Sequence, residues 1–303
     1  MQQALSRIFS EFSVLECDFF PSYPLSGLTT FRIGGACTVL AVPKSTQVLS
    51  VLLSRLDSEG IPRVIIGNGS NLLAPDEGYR GVVIRTTALK EVSVASHVLV
   101  ADCGAPLSTI VRLANENDIS GFSRLAGIPA TLGGALFMNA GAYGDCIGDR
   151  VLSVCAVPAA GGVPLTLTRA ECLFDYRESI FKTHSLVILS ARLSGGRAPA
   201  DVLKEESRQT LALRAEKQPL EYPSAGSAFR RPKGDYAGRL IEAAGLAGFR
   251  IGGAAVSTKH AGFIINCKDA TAADVKMLIE YIRDTVKERF GVSLVREIEY
   301  LGE

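Results

Sequence analysis

The chain has 303 residues, enough for two or three compact domains. Apolar residues make up 47% and charged residues 21%, an ordinary globular balance, and a formal net charge of +1 excludes a broad basic field for nucleic acid or an anionic membrane. Seven cysteines without a C-x-x-C pair, and three histidines (His97, His184, His260) with none four residues from another, argue against a disulfide framework, a zinc site and a histidine-based metal centre. Reduced, mostly buried thiols in a cytoplasmic protein are therefore expected.

Near the N-terminus, Arg7, Glu11, Glu16 and Asp18 break any apolar run, so a signal peptide is not expected. Residues 45–59 put Val48, Leu49, Leu52, Leu53 and Leu56 on one helical face, with Ser45 as cap and Gly60 as terminator. A β-branched strand over 64–66 runs into Gly67, and 82–85 and 92–100 read as further strands. Residues 107–117 form a second amphipathic helix. The uncharged stretch 125–144 is long enough to suggest a membrane span. Its Pro129 and its glycines 127, 133, 134, 141 and 144 predict a buried system of loops and turns instead.

Strands follow at 151–157 and 186–193, then a Gly/Pro linker over 194–199 and a charged helix over 201–216. The helix over 272–290 has the clearest signals. Thr271 caps it, with Asp274 three residues on. Val275, Leu278, Ile279, Ile282, Val286 and Phe290 recur at helical spacing, and Gly291 ends it. A last strand is predicted over 293–301. Helices and strands without strict βαβ alternation give an α+β class, with boundaries near 80 and 197.

Two segments invite a ligand. Residues 65–73 read Ile-Ile-Gly-Asn-Gly-Ser-Asn-Leu-Leu, a strand feeding a turn with two glycines. Such a turn lets the backbone approach a ligand closely and aligns successive N–H groups toward an anion. The third glycine of a Rossmann fingerprint and the Gly-Lys-Ser/Thr of a P-loop are both missing, so this segment taken alone reads more readily as a plain structural turn than as a phosphate cradle. Residues 126–144 are so rich in Gly and Ala that they leave room for something flat and large, or else pack backbone tightly on backbone. Two such segments together favour a dinucleotide-sized cofactor.

GNGSNLL, AGIPATLGGALFMNAGAYG, YRESIFK, PSAGSAF and RIGGAAVSTKHAGFIIN occur in this order over nearly the whole chain. The ordered set resembles the UDP-N-acetylenolpyruvoylglucosamine reductase (MurB) family, in its compact subclass without a substrate-capping tyrosine loop. The resemblance implies a two-subdomain FAD-binding module of the vanillyl-alcohol oxidase/PCMH type (1–80 and 81–197) and a C-terminal α+β substrate-binding domain (198–303). It also implies NADPH-driven reduction, through FAD, of an enolpyruvyl sugar nucleotide to UDP-N-acetylmuramate. Another flavin-dependent oxidoreductase or oxidase of the same fold is the alternative. The partner is a small molecule, with no nucleic acid, membrane or metal, and a monomer is expected.

By the same resemblance, FAD is held by Gly67, Asn68, Gly69, Ser70, Asn71 and Leu72, and by Gly127, Ile128, Pro129, Thr131, Gly133, Gly134, Asn139, Ala140 and Gly141. Arg177 orients the substrate carboxylate, a role suited to a permanently charged, bidentate group. Ser227 gives the proton, and Glu297 stabilises the enol form, held protonated or balanced by the Arg177 charge. The family has Glu-Pro before that position where this chain has Val295-Arg296, and Glu299, on the same strand face, is a rival. Tyr176, Lys217, Arg231, Lys259 and His260 are the substrate-binding candidates. A lone histidine such as His260 is more often a structural hydrogen-bonder than a catalyst.

Overall fold

The computed structural model describes residues 2–12 and 16–303. Its backbone contacts define two compact units, each assembled from three stretches of chain. The first comprises Met1–Pro21, Thr38–Asn68 and Gly81–Ala212; the second comprises Ser22–Cys37, Gly69–Arg80 and Leu213–Glu303.

The first unit carries two larger sheets, besides a two-stranded ribbon of Gly141–Ala142 with Asp145–Cys146. One has the strand order Cys17–Pro21, Cys37–Pro43, Tyr79–Arg85, Arg63–Ile66, with the last pair parallel. The other is antiparallel throughout, in the order Leu165–Thr168, Val151–Pro158, Leu186–Ser194, Val98–Asp102, Val92–Ala95. Helix Thr46–Ser58 buries Leu49, Leu52, Leu53 and Leu56 completely, each worth about 1.5–3 kcal/mol relative to exposure. Ser45 Oγ accepts the Val48 N–H at 3.2 Å, as the sequence requires of the cap.

Two expectations change here. Residues 92–100 are not one strand but a hairpin, turned at Ser96 and His97. Their φ values of 48° and 65° are those of a two-residue turn that normally uses Asn or Gly, so the turn chemistry was hidden. Residues 125–144 are not loop alone. Helix Leu132–Phe137 forms there, capped by the Thr131 hydroxyl, with Leu132, Ala135 and Leu136 fully buried. Six residues with two glycines give too weak a period to announce a helix.

The second unit is built on an antiparallel sheet in the order Ser224–Ser227, Phe263–Asn266, Ala254–Val256, Arg250–Ile251. Helix Ala272–Phe290 covers it with Val275, Leu278, Ile279, Ile282 and Val286, all at 0% exposure. The Thr271–Asp274 capping box and a left-handed Gly291 define its ends. The strand predicted over 293–301 shortens to Glu299–Tyr300, which pairs in parallel with Leu72–Leu73. Before it, only Arg296 bridges, to Phe229. Among the described residues, no helix is long and apolar enough to cross a membrane, and no cluster of His, Cys, Asp or Glu is placed to hold a metal.

Candidate active site

In the first unit the two glycine-rich segments meet. A side chain at Gly67 would overlap the Thr131 hydroxyl, and Asn68 Nδ2 donates to the Pro129 carbonyl at 2.8 Å. At Gly67 the absence of a side chain therefore serves close packing against the Thr131 side chain. Gly133 is closely packed too, its N–H donating to the Cys103 carbonyl at 2.7 Å. Gly134 differs: it is exposed, and an added Cβ would meet only Thr131 Oγ1, at 3.6 Å. One glycine-rich stretch is thus packed on one side and open on the other.

The main chain around these glycines has spare donors. Among the described residues, the N–H groups of Gly67, Asn68, Gly127, Ala130 and Thr131 have no protein acceptor. Thr131 is only 3% exposed, and on either side of it the Ala130 carbonyl and the Leu132 N–H bond to Leu107 and Ala105. An orphan donor at a buried residue costs about 1–3 kcal/mol unless an acceptor from outside the chain meets it. Oxygen acceptors on FAD would meet that need, so the residues fit the cofactor. Ile128 packs half-buried against the core of the same unit.

The 176–182 motif docks on the same segment. Residues 175–178 form a tight hairpin in which Asp175 and Glu178 exchange N–H···O bonds of 3.1 Å. Arg177 stands at its tip with φ 57°, a left-handed conformation that a non-glycine residue adopts only when its surroundings hold it. Its guanidinium donates to the carbonyls of Asn139 at 3.4 Å and Gly141 at 3.2 Å, and lies 5.1 Å from the ring of the exposed Tyr176. Ser179 Oγ donates to the Phe137 carbonyl at 2.7 Å. Ala140, between those two accepting carbonyls, is fixed by its own N–H, which donates to the Ala135 carbonyl at 2.7 Å.

In the second unit, Ser227 and Glu297 come together. The Glu297 N–H donates to the Ala228 carbonyl at 2.9 Å, and the Arg230 N–H to Val295 at 2.8 Å, so the two segments lie side by side. The rival Glu299 instead opens the short strand beside Leu72. Strand Ser224–Ser227 is irregular against its partner, with Gly226 at φ 77° and open space where a Cβ would be. The half-buried Ser227 hydroxyl makes no hydrogen bond among the described residues. Asn71 Nδ2 donates to the Glu297 carbonyl at 3.0 Å, and Thr30 Oγ1 to the Ser224 carbonyl at 2.7 Å. The N–H groups of Gly69, Ser70 and Asn71 find no acceptor among the described residues.

Sequence reading missed the anchoring roles of Thr30 and Asn71. Asn71 and Glu297 are 226 positions apart, so no local pattern could have joined them.

The remaining candidates lie in the same unit. Lys259 Nζ donates to the Ala215 carbonyl at 2.7 Å, near the exposed Lys217, and stands 3.9 Å from the Glu221 carboxylate. Arg231 stacks over Tyr236 at 4.3 Å. His260 accepts the Gly262 N–H on Nδ1 at 3.1 Å and packs edge-on against Phe263. Burial holds its imidazole below its ordinary pKa, so it is neutral and shapes the turn. All seven cysteines are free, and burial pushes the Cys103 thiol up to about 12.

Comparison with known proteins adds the identity. Residues 218–301 match the model of the UDP-N-acetylenolpyruvoylglucosamine reductase C-terminal domain, and residues 37–166 match an FAD binding domain. A UDP-N-acetylenolpyruvoylglucosamine reductase of Caldanaerobacter subterraneus subsp. tengcongensis is 47% identical over 280 residues, covering 92% of each chain. One from Lactococcus lactis subsp. cremoris is 41% identical, covering 92% of this chain and 93% of its own. The crystal structure of the reductase from Thermus caldophilus superposes with a TM-score of 0.78 at 30% identity, covering 94% of this chain and 98% of that one. The chain belongs to the UDP-N-acetylenolpyruvoylglucosamine reductase family.

Proposed function

We propose that the chain reduces UDP-N-acetylglucosamine enolpyruvate to UDP-N-acetylmuramate for peptidoglycan precursors, with FAD as cofactor and NADPH as reductant. Residues 1–80 and 81–197 serve the flavin and 198–303 the sugar nucleotide, in a monomer that works in the cytoplasm. One observation carries the reading: Ser227 bears a hydroxyl that bonds to no described residue, on backbone held beside Glu297.

When bound, FAD would supply the hydride chemistry, with NADPH as reductant and the enol ether double bond as the group reduced. The free N–H groups of Gly67, Asn68, Gly127 and Thr131 would supply donors to hold it. Addition of hydride to one carbon leaves an electron pair on its neighbour, delocalised into the carboxylate. Arg177 keeps that carboxylate paired as the charge grows. Ser227 Oγ–H protonates the neighbouring carbon and regains its proton from solvent, so two C–H bonds replace one π bond. Glu297 stabilises the enol form. Tyr176, Lys217, Arg231 and Lys259 bind the rest of the sugar nucleotide, and His260 holds the turn that carries Lys259.

The test is stoichiometric. The FAD-loaded protein should consume one NADPH per UDP-N-acetylmuramate formed, only when the enolpyruvyl nucleotide is present. NADPH consumption that instead follows oxygen, with no muramate formed, would make the protein an oxidase.

A further inference from the structure

Asn139 falls in the segment whose family role is flavin binding, yet both Nδ2 and Oδ1 of its side chain are bonded within the protein. It is 5% exposed. Its Nδ2 donates to the Asp175 carbonyl at 2.9 Å, and its Oδ1 accepts the Gly148 N–H at 3.0 Å. Gly148 has no room for a side chain, since a Cβ there would stand 2.7 Å from Asn139 Oδ1. The Asn139 main-chain carbonyl accepts the Arg177 guanidinium at 3.4 Å. One residue therefore grips the 175–178 hairpin twice, at its base through the amide and at its tip through the carbonyl.

The backbone explains the choice of residue. Asn139 has φ 40°, a conformation that asparagine tolerates far better than most side chains. Arg177 is itself left-handed at φ 57°, and a strained tip needs a fixed base. The Asp175 carbonyl already takes the Glu178 N–H at 3.1 Å, and the Asn139 amide adds a second donor that sets the angle at which the hairpin leaves the body of the unit.

We propose that Asn139 is a positioning residue for Arg177, acting on the half-reaction that consumes the enolpyruvyl nucleotide and not on flavin binding. This rests on the proposed role of Arg177. Asn139→Asp keeps the size, the φ preference and the Oδ1 acceptor but turns a carboxylate oxygen toward the Asp175 carbonyl. Asn139→Gly keeps the φ and deletes the side chain, and it carries the test if the aspartate variant does not fold.

The experiment measures the FAD dissociation constant, the bound-flavin spectrum and the thermal midpoint of each variant. It then reduces the flavin anaerobically with dithionite and times its oxidation by the enolpyruvyl nucleotide, beside Arg177→Lys. The expected result is FAD affinity and spectrum within about twofold of the parent, with oxidation by the nucleotide slowed roughly ten- to a hundred-fold, in the same direction as Arg177→Lys. Weakened FAD binding with an altered spectrum would overturn the proposal in favour of a flavin ligand. A lowered midpoint with unchanged oxidation would overturn it in favour of a purely structural residue. If Arg177→Lys alone oxidises at the parent rate, it is the role of Arg177 that fails, and with it the reason for positioning it.

Discussion

Arg177 and Ser227 are held in opposite ways, each within its own unit. Arg177 sits at the tip of a tight hairpin, in a left-handed conformation, with its guanidinium anchored on two carbonyls. Ser227 ends an irregular strand beside a glycine with open space around it, and its hydroxyl bonds to no described residue. The difference follows from the work proposed for them. A group that orients a carboxylate must not move, and its anchors may be other protein atoms. A group that gives up a proton must keep its hydroxyl unengaged until the electron pair arrives.

The sharpest way to break this comparison is Ser227→Ala. Reduction of the flavin by NADPH should survive, while oxidation by the enolpyruvyl nucleotide falls by roughly 10²–10⁴-fold, the usual weight of a positioned acid. Equal loss of both half-reactions would remove Ser227 as proton donor. Arg177→Lys addresses the anchored side: it keeps the charge but loses the planar fork, and should slow the same half-reaction by about a hundred-fold. A Lys variant at parent rate would remove Arg177 as the group that orients the carboxylate. Gly67→Ala sharpens the packing argument. The new methyl would overlap Thr131, with an expected loss of about 1–3 kcal/mol in a denaturant titration and weaker FAD retention.

The smallest effect concerns His260, whose pKa burial lowers from its ordinary value of about 6.5. The unfolded chain binds this proton more readily than the folded one. The contribution to stability is therefore present above about pH 6.5 and is lost as pH falls toward the folded-state pKa. The thermal midpoint of the parent should drop more steeply as pH falls below about 6.5 than that of His260→Gln. Identical slopes would mean that the imidazole is not held neutral.

The sequence announced what depends on local period and capping. The Ser45 and Thr271 caps and the helices Thr46–Ser58 and Ala272–Phe290 follow from residues a few positions apart. It did not announce contacts made across long separations. That Gly67 is small for the sake of Thr131, or that Asn71 steadies the Glu297 backbone, depends on segments that meet only after folding. The hairpin at Ser96–His97 was hidden because its turn uses residues that do not advertise a positive φ. The order of the motifs was legible, and with it the family. The use each motif residue makes of its side chain was not, as Asn139 illustrates.

The most direct measurement is an anaerobic single turnover. Protein loaded with FAD and reduced by one equivalent of NADPH is mixed with the enolpyruvyl nucleotide in the absence of oxygen. The account predicts return of the oxidised flavin spectrum with one UDP-N-acetylmuramate formed per flavin. A spectrum that stays reduced until air is admitted would contradict it.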